Sequence, residues 1–441
     1  MGQWTGLLGV CVFVAIGWAV SSDRRRIRPR IIVAGLGLQF LLAFLLMRVG
    51  PVVRAYDWLA GVFTRVLGFS EEGARFLFGE LADPGGAWGF VFAFKVLPVI
   101  VFFASIMAVL YHVGVMQRVV GSLAWLLRRS LGVSGEEALA SAANVFVGQT
   151  EAPLCIRPFI PRLTRSQLML VMTGGFATIA GSVLAAFVTV LGHDDASRVA
   201  FAKHLLTAIA MSAPGAFVMA KLFVPDGSEG GAGTDMGAMP PRETSNLLDA
   251  AAAGAGDGLR LALNVAAMLV AFVALLALLN WPIQAVGETT FGDQIEGVIG
   301  VDSLSLSAIL GVVFQPVAYL MGITGPDAPA VGSILGTSMV ATEFVAYLQL
   351  GDLIAAQRVD SATGISPRAA AITTFALCGF ANLPSIAIQI GGLSAMAPER
   401  RAEIAALGPR AMLAGAMTCW MTGCIASVML PATASATAIS P

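Results

Sequence analysis

Charge is what this chain has least of. Only 12% of its 441 residues are Asp, Glu, Lys or Arg, while 57% are hydrophobic. Soluble globular domains carry about 25% charged residues, so that class is excluded. The charges that remain nearly cancel, to a net −1, which removes the basic footprint that a nucleic-acid partner needs. Histidine is equally scarce: His112, His193 and His204 are scattered, with no i, i+4 pair. The five cysteines, Cys11, Cys155, Cys378, Cys419 and Cys424, sit mostly in apolar runs with no CxxC or metal spacing. They read as small packing residues rather than ligands. A cleavage site after the first apolar run is also missing. A basic cluster and a second run follow instead, so no removed signal peptide is expected.

What is present is a succession of apolar runs in a chain with 49 glycines. The runs at 2–21, 31–49, 87–111, 166–191, 204–223, 259–281, 369–391 and 411–430 are each near the ~20 residues that a membrane-crossing helix requires. The fold class expected is therefore an all-α polytopic membrane protein with about eight transmembrane helices. Residues 115–129 carry Arg118, Arg128 and Arg129 among leucines and valines, the pattern of an interfacial helix. Residues 224–243 are glycine-rich and polar and read as a loop. Lys221 is expected to snorkel to the cytoplasmic surface; Lys95 either snorkels outside or pairs with a carboxylate. Positive charge orients the chain. SDRRRIRPR goes to the cytoplasm, together with Arg157, Arg162, Arg165, Arg400, Arg401 and Arg410. The acidic stretches 70–83 and 288–302 fall outside, as do both termini.

This threading closes only if 135–163 and 331–350 each enter and return on one side, from opposite faces. Irregular backbone at membrane depth survives only where protein or a water-filled cavity covers it. The tips are polar: VFVGQTEAPL carries Thr150 and Glu151, and GTSMVATEFVAY carries Thr342 and Glu343. Each is followed by a helix with a Gly-Phe-Ala motif and hydroxyl or amide groups, GFATIAGS at 175–182 and GFANLPS at 379–385. Opposed hairpins followed by broken helices make an inverted repeat, an architecture of secondary transporters. Pro384 and the glycines at 174, 175 and 181 are the candidate breakers. A carboxylate at the centre of a membrane helix costs about 2.5–3.5 kcal/mol on insertion scales, so Glu151 and Glu343 require a reason. Pairing of Glu151 with Arg157 would be a purely structural one; Glu343 has no basic residue within a dozen positions. For Asn382 and Ser385 the bland reading is helix–helix hydrogen bonding.

GQTEAPLCIRPFI at 148–160, TIAGSVL at 178–184, MSAPGAFVMAKLFVPD at 211–226, FQPVAYLMGI at 314–323, TEFVAY at 342–347 and CGFANLPSIAIQIGG at 378–392 together resemble the concentrative nucleoside transporter family. The resemblance implies a trimer in which a scaffold holds a transport domain of two hairpins and two broken helices. It implies that Gln149 and Glu151, with Gly148 and Thr150 at the same tip, bind the nucleobase, and that Val183 is an apolar contact to the base. Glu343, Asn382 and Ser385 would hydrogen-bond the ribose. Asn144, Val147, Thr178 and Ile179 would form the sodium site. The sequence departs from the family at Thr342, where asparagine is usual, at Ser338, where lysine is usual, and at Pro384, where a smaller residue is common.

The expected organisation is scaffold helices over 1–133, a first hairpin and broken helix over 134–223, and a polar loop over 224–258. A scaffold helix with interfacial segments spans 259–325, a second hairpin and broken helix 326–395, and a last helix 396–441. The expected activity is cation-coupled nucleoside symport into the cell across the inner membrane, with sodium as coupling ion, no other cofactor, and the lipid bilayer as surroundings. The alternatives are proton coupling or another nucleoside-like solute and, from other classes, a channel or a membrane-embedded enzyme. No His-Glu metal pair or partnered serine or cysteine nucleophile supports the enzyme.

Overall fold

The computed structural model describes residues 2–82, 91–149, 151–227, 244–299, 303–359 and 364–431, and every regular element among them is helical. Among the described residues six helices are long and apolar enough to cross a membrane: Pro29–Arg48, Phe92–Val113, Arg165–Leu191, Asp195–Phe223, Leu247–Gly287 and Pro398–Met429. Shorter apolar helices, Trp4–Ala19, Leu306–Leu320 and Leu383–Met396, accompany them. Arg165–Leu191 and Asp195–Phe223 are each 89% buried over their most apolar window, whereas Leu247–Gly287 is 11% buried. An apolar helix covered by protein is core; one left bare in a chain of this composition faces lipid or another subunit.

The ends of the molecule can be read from its polar contacts. At one end the backbone N–H of Ser22 donates to the Phe223 carbonyl (3.0 Å) and Arg28 pairs with Asp226 (3.4 Å). Ser166 donates to the Val224 carbonyl there (2.7 Å). Arg400 donates to the Ile160 carbonyl (2.8 Å), so the return leg of the first hairpin reaches the same end. At the other end Arg358 pairs with Asp194 (3.0 Å) and Arg368 bonds the carbonyls of Ser427 and Leu430. The N-terminal helix packs beside this latter end, because Gly6 lies against Ser427 and Cys424. Arg28, Asp226, Arg400 and Ile160 therefore lie toward one end of the helices, and Gly6, Ser427 and Leu430 toward the other.

Three expectations change. Residues 50–78, where no apolar run predicts a spanning helix, form the 29-residue helix Gly50–Phe78. Its buried residues Ala60, Leu67, Ser70 and Ala74 make a narrow stripe, and charged residues interrupt every lipid-like run. Glu71 pairs with Arg198 (2.8 Å) and Asp57 with Lys203 (2.6 Å), fastening the helix to Asp195–Phe223. Second, the 41-residue helix Leu247–Gly287 begins inside what was expected to be loop and runs about 60 Å at 1.5 Å per residue. Gly254 and Gly258 let it approach Phe92–Val113, since a Cβ at either would collide with Ala104. Third, Lys221 does not snorkel. It is 3% exposed and donates to Glu137 (2.5 Å), Asp226 (2.5 Å) and Ser166 (3.0 Å).

Candidate functional site

The first hairpin starts with a capping box, Ser134 bonding the Glu137 N–H while Glu137 bonds the Ser134 N–H. Its inward leg, Gly135–Asn144, is buried along its whole length. It ends where Phe146 and Val147 N–H groups both turn back to the Ala143 carbonyl (3.0 Å each). The return leg is the 3-10 segment Ala152–Arg162, which contains Pro158 and Pro161; proline cannot sustain an α-helical ladder. The second hairpin is Asp327–Val340 and Glu343–Val359, with the turn at Ala341 and Thr342. Its open end sits at the end that carries Asp194 and Ser427, through Ser366 to Asp327 and Arg358 to Asp194. The two hairpins therefore point at each other from opposite ends.

Both following helices are broken. Arg165–Ala177 and Gly181–Leu191 flank extended backbone at Thr178 (φ −133°, ψ 162°) and Ala180 (φ −69°, ψ 150°). Pro367–Ala376 and Leu383–Met396 flank 377–382, and Asn382 caps the second piece by accepting from Ser385 N–H (2.8 Å). Pro384 falls in the first turn of that piece, where a missing N–H costs nothing. It begins a half-helix rather than breaking one.

The first tip and the first break meet. Gly181 N–H donates to the Phe146 carbonyl (3.1 Å), and Gly148 faces Ala180. Asn144 is 0% exposed, and among the described residues neither its Oδ1 nor its Nδ2 has a hydrogen-bond partner. Gly174 keeps that space open, since a Cβ there would lie 3.0 Å from Asn144 Nδ2. Thr178 Oγ1 donates to the Gly174 carbonyl (2.9 Å), leaving its lone pairs free. A buried unpartnered amide costs roughly 1–3 kcal/mol unless something binds it. A neutral oxygen beside broken backbone fits a small hard cation such as sodium. Val147 and Ile179 lie on the same tip and the same break.

On the other side of the tip the polar groups join across the two repeats. Gln149 Nε2 donates to Ser385 Oγ (3.2 Å), and Asn382 Nδ2 donates to Glu343 Oε2 (2.6 Å). Glu343 opens the return leg of the second hairpin and is 3% exposed. Thr342 Oγ1 accepts from Val345 N–H (3.4 Å), a capping role that asparagine fills equally; this accounts for the departure there. Ser338 is buried one turn earlier. Glu151 accepts from Gly148 N–H (3.1 Å) and lines a cavity of about 360 Å³ with Val147, Ala180, Ser182, Tyr111 and Asp257. That cavity lies against Phe92–Val113 and Leu247–Gly287 and reaches His112 and Thr244. Gln149, Glu343, Asn382 and Ser385 are not among its lining residues. Val183 is buried at the start of the second half-helix and is not in the lining either. Thr150 lies outside the described residues. Gln389 escaped the sequence reading, although Asn382, Ser385 and Gln389 follow a helical i, i+3, i+7 spacing that marks one face. It donates to Gln149 Oε1 (3.0 Å) and to the Met172 carbonyl (3.1 Å).

Opposed hairpins, two broken helices and a polar seam between them define a membrane carrier, not an enzyme. Na+ dependent nucleoside transporter C-terminus matches residues 204–427, its N-terminus 8–81, and a nucleoside-recognition Gate segment 93–194. An uncharacterized transporter of Haemophilus influenzae is 40% identical, with 98% of each chain covered. Sodium/nucleoside cotransporter 1 of Mus musculus is 38% identical over 97% of this chain, which spans 64% of that relative's length. Solved structures of CNTnw superpose throughout: an inward-facing substrate-bound state with TM-score 0.85, at 39% identity, covering 97% of this chain and 98% of that one. An outward-facing state gives 0.86 at 38% identity, with the same coverage. The chain belongs to the Na+-dependent, concentrative nucleoside transporter family.

Proposed function

We propose that this chain takes nucleosides into the cell by sodium-coupled symport, through alternating access across the inner membrane. One observation carries the reading. The buried, unpartnered amide of Asn144 sits at the first hairpin tip, one turn of chain from Gln149, whose amide joins the polar seam of both repeats. Ion and solute thus share a single structural hinge, the arrangement that coupling requires.

In this reading Asn144, Val147, Thr178 and Ile179 hold sodium, with Thr178 presenting lone pairs because its hydrogen is committed to Gly174. Gly148, Gln149, Thr150, Glu151 and Val183 meet the base; Glu343, Asn382 and Ser385 meet the ribose. A carboxylate accepts from two adjacent hydroxyls, and Glu343 holds one oxygen toward Asn382, so a ribose diol replaces that bond and fastens the second hairpin over the solute. Movement of the hairpins and broken helices against Phe92–Val113 and Leu247–Gly287 then releases both toward the end that bears the basic clusters. A potential of about 100 mV supplies roughly 2.3 kcal/mol per charge, which alone supports roughly a fifty-fold gradient. A homotrimer with both termini outside completes the assignment: Leu247–Gly287, 11% buried, offers the apolar face that such an assembly covers.

Uptake of labelled uridine and adenosine into proteoliposomes under an imposed sodium or proton gradient tests this, with Glu343→Gln protein alongside. Saturable, sodium-driven uptake that the substitution abolishes is the expected result. Uptake driven only by protons removes the sodium site, and non-saturating flux or chemically altered solute removes the carrier.

A further inference from the structure

Gln389 sits on the polar seam with both hydrogens of its amide committed. Its side chain is 2% exposed. Nε2 donates to the Met172 carbonyl on the first broken helix (3.1 Å) and to Gln149 Oε1 at the first hairpin tip (3.0 Å). Its own Oε1 is left buried without a partner. This direction is forced by chemistry. A backbone carbonyl can only accept, so the atom of Gln389 facing Met172 must be nitrogen. The second hydrogen of that nitrogen then requires an acceptor, so the atom of Gln149 that meets it must be oxygen. Gln149 is thereby turned with its amide nitrogen toward Ser385 Oγ, a hydroxyl that would have taken either end. The backbone is shaped for the same purpose. Residue 175 is glycine, and a Cβ there would come within 2.6 Å of Gln389 Nε2 and 2.9 Å of Gln149 Cβ.

We infer that Gln389 is a positioning residue that locks the amide of Gln149 in one of its two orientations and thereby sets which nucleobases are accepted. The inference rests on the proposed nucleoside reading, in which Gln149 meets the base. An amide that can flip offers its donor or its acceptor to any base edge and discriminates weakly. One held from behind offers a fixed pattern and penalises the base whose polar groups are reversed. Uridine and cytidine differ by such a reversal, a carbonyl against an amino group on the same ring carbon, and inosine and adenosine provide the purine counterpart.

The test measures sodium-driven uptake of all four nucleosides by wild type, Gln389→Met and Gln389→Glu, as ratios of kcat/KM within each pair. A ratio taken on one preparation cancels the fraction of protein that is folded and inserted, so a variant that folds poorly still reports. Wild type is expected to discriminate in at least one pair. Loss of one net hydrogen bond's worth of orientation should pull that ratio toward unity by about tenfold in Gln389→Met. Gln389→Glu offers acceptor oxygens to Gln149, so its ratio should move at least as far. Both nucleosides of a pair slowed equally, with the ratio unmoved, would mean that Gln389 is only a packing and stability residue and would overturn the inference. Wild type that discriminates in neither pair also overturns it while leaving the transport reading intact. No uptake of any nucleoside by wild type removes the transport reading, and the inference with it.

Discussion

The two repeats share an architecture and differ in what their polar groups do. In the first, Asn144 is sealed from solvent with both amide atoms unpartnered, and the second half-helix, Gly181–Leu191, has no side-chain cap. In the second, Asn382 caps its half-helix and bonds Glu343 as well. The first repeat leaves a buried amide unmet, which suits a cation in the proposed reading; the second carries groups that satisfy one another. Their anchors differ too. The base of the first hairpin is held by the buried pair of Glu137 and Lys221, with side chains 5% and 3% exposed. The second is held by Arg358 and Asp194, both 36% exposed. Duplicating a fold supplies the geometry twice, and the residues placed at each tip and base then decide the labour.

The largest effect should come from the buried anchor. Lys221→Met strands Glu137 and should cost about 3–5 kcal/mol of stability, seen as a lower Tm in detergent. A shift below that of a surface pair would break the comparison. Next, Glu343→Gln removes a charge-assisted partner of Asn382 and should lower nucleoside uptake roughly a hundredfold, without moving the sodium concentration for half-maximal binding. Asn144→Ala should act in the opposite sense, raising that sodium concentration about tenfold and changing nucleoside affinity only as coupling demands. Identical phenotypes for the two variants would mean that the repeats do not divide ion from solute. Smallest, Arg358→Met should cost no more than about 1 kcal/mol. The same anchor carries a pH signature. Hydrogen bonds from Ser197, the backbone N–H foremost, with Arg358 also contributing, hold the Asp194 carboxyl below its ordinary value of 3.8. A carboxyl lowered on folding contributes stability that is fully present above its unfolded value and is lost as pH falls through its folded one. Thermal stability should therefore be flat with respect to Asp194 above about pH 4 and fall below it, and Asp194→Asn should flatten that limb.

Lipid-like runs, loop charge and the repeated Thr-Glu and Gly-Phe-Ala motifs were legible because each is a local property of consecutive residues. They determined the all-helical membrane class and pointed to the two hairpins. They also picked out the tip residues Glu151 and Glu343, while Gln149 was reached only through the family resemblance. Gly50–Phe78 was not legible, because its stripe of Ala60, Leu67 and Ala74 is narrow and two of its carboxylates, Asp57 and Glu71, are met by Lys203 and Arg198, far away in sequence. Lys221 was misread for the same reason: a lysine near a helix end snorkels unless Glu137, 84 positions earlier, is folded against it. Pro384 shows the converse, since proline marks a break but only the caps tell on which side of it the residue falls. By itself the sequence determined which residues are too polar for lipid and where along the chain they recur. Only the tertiary structure decided which of them satisfy one another and which, like Asn144, stay unpaired. Hydrogen bonds between segments far apart in the chain depend on distances that composition and spacing do not encode.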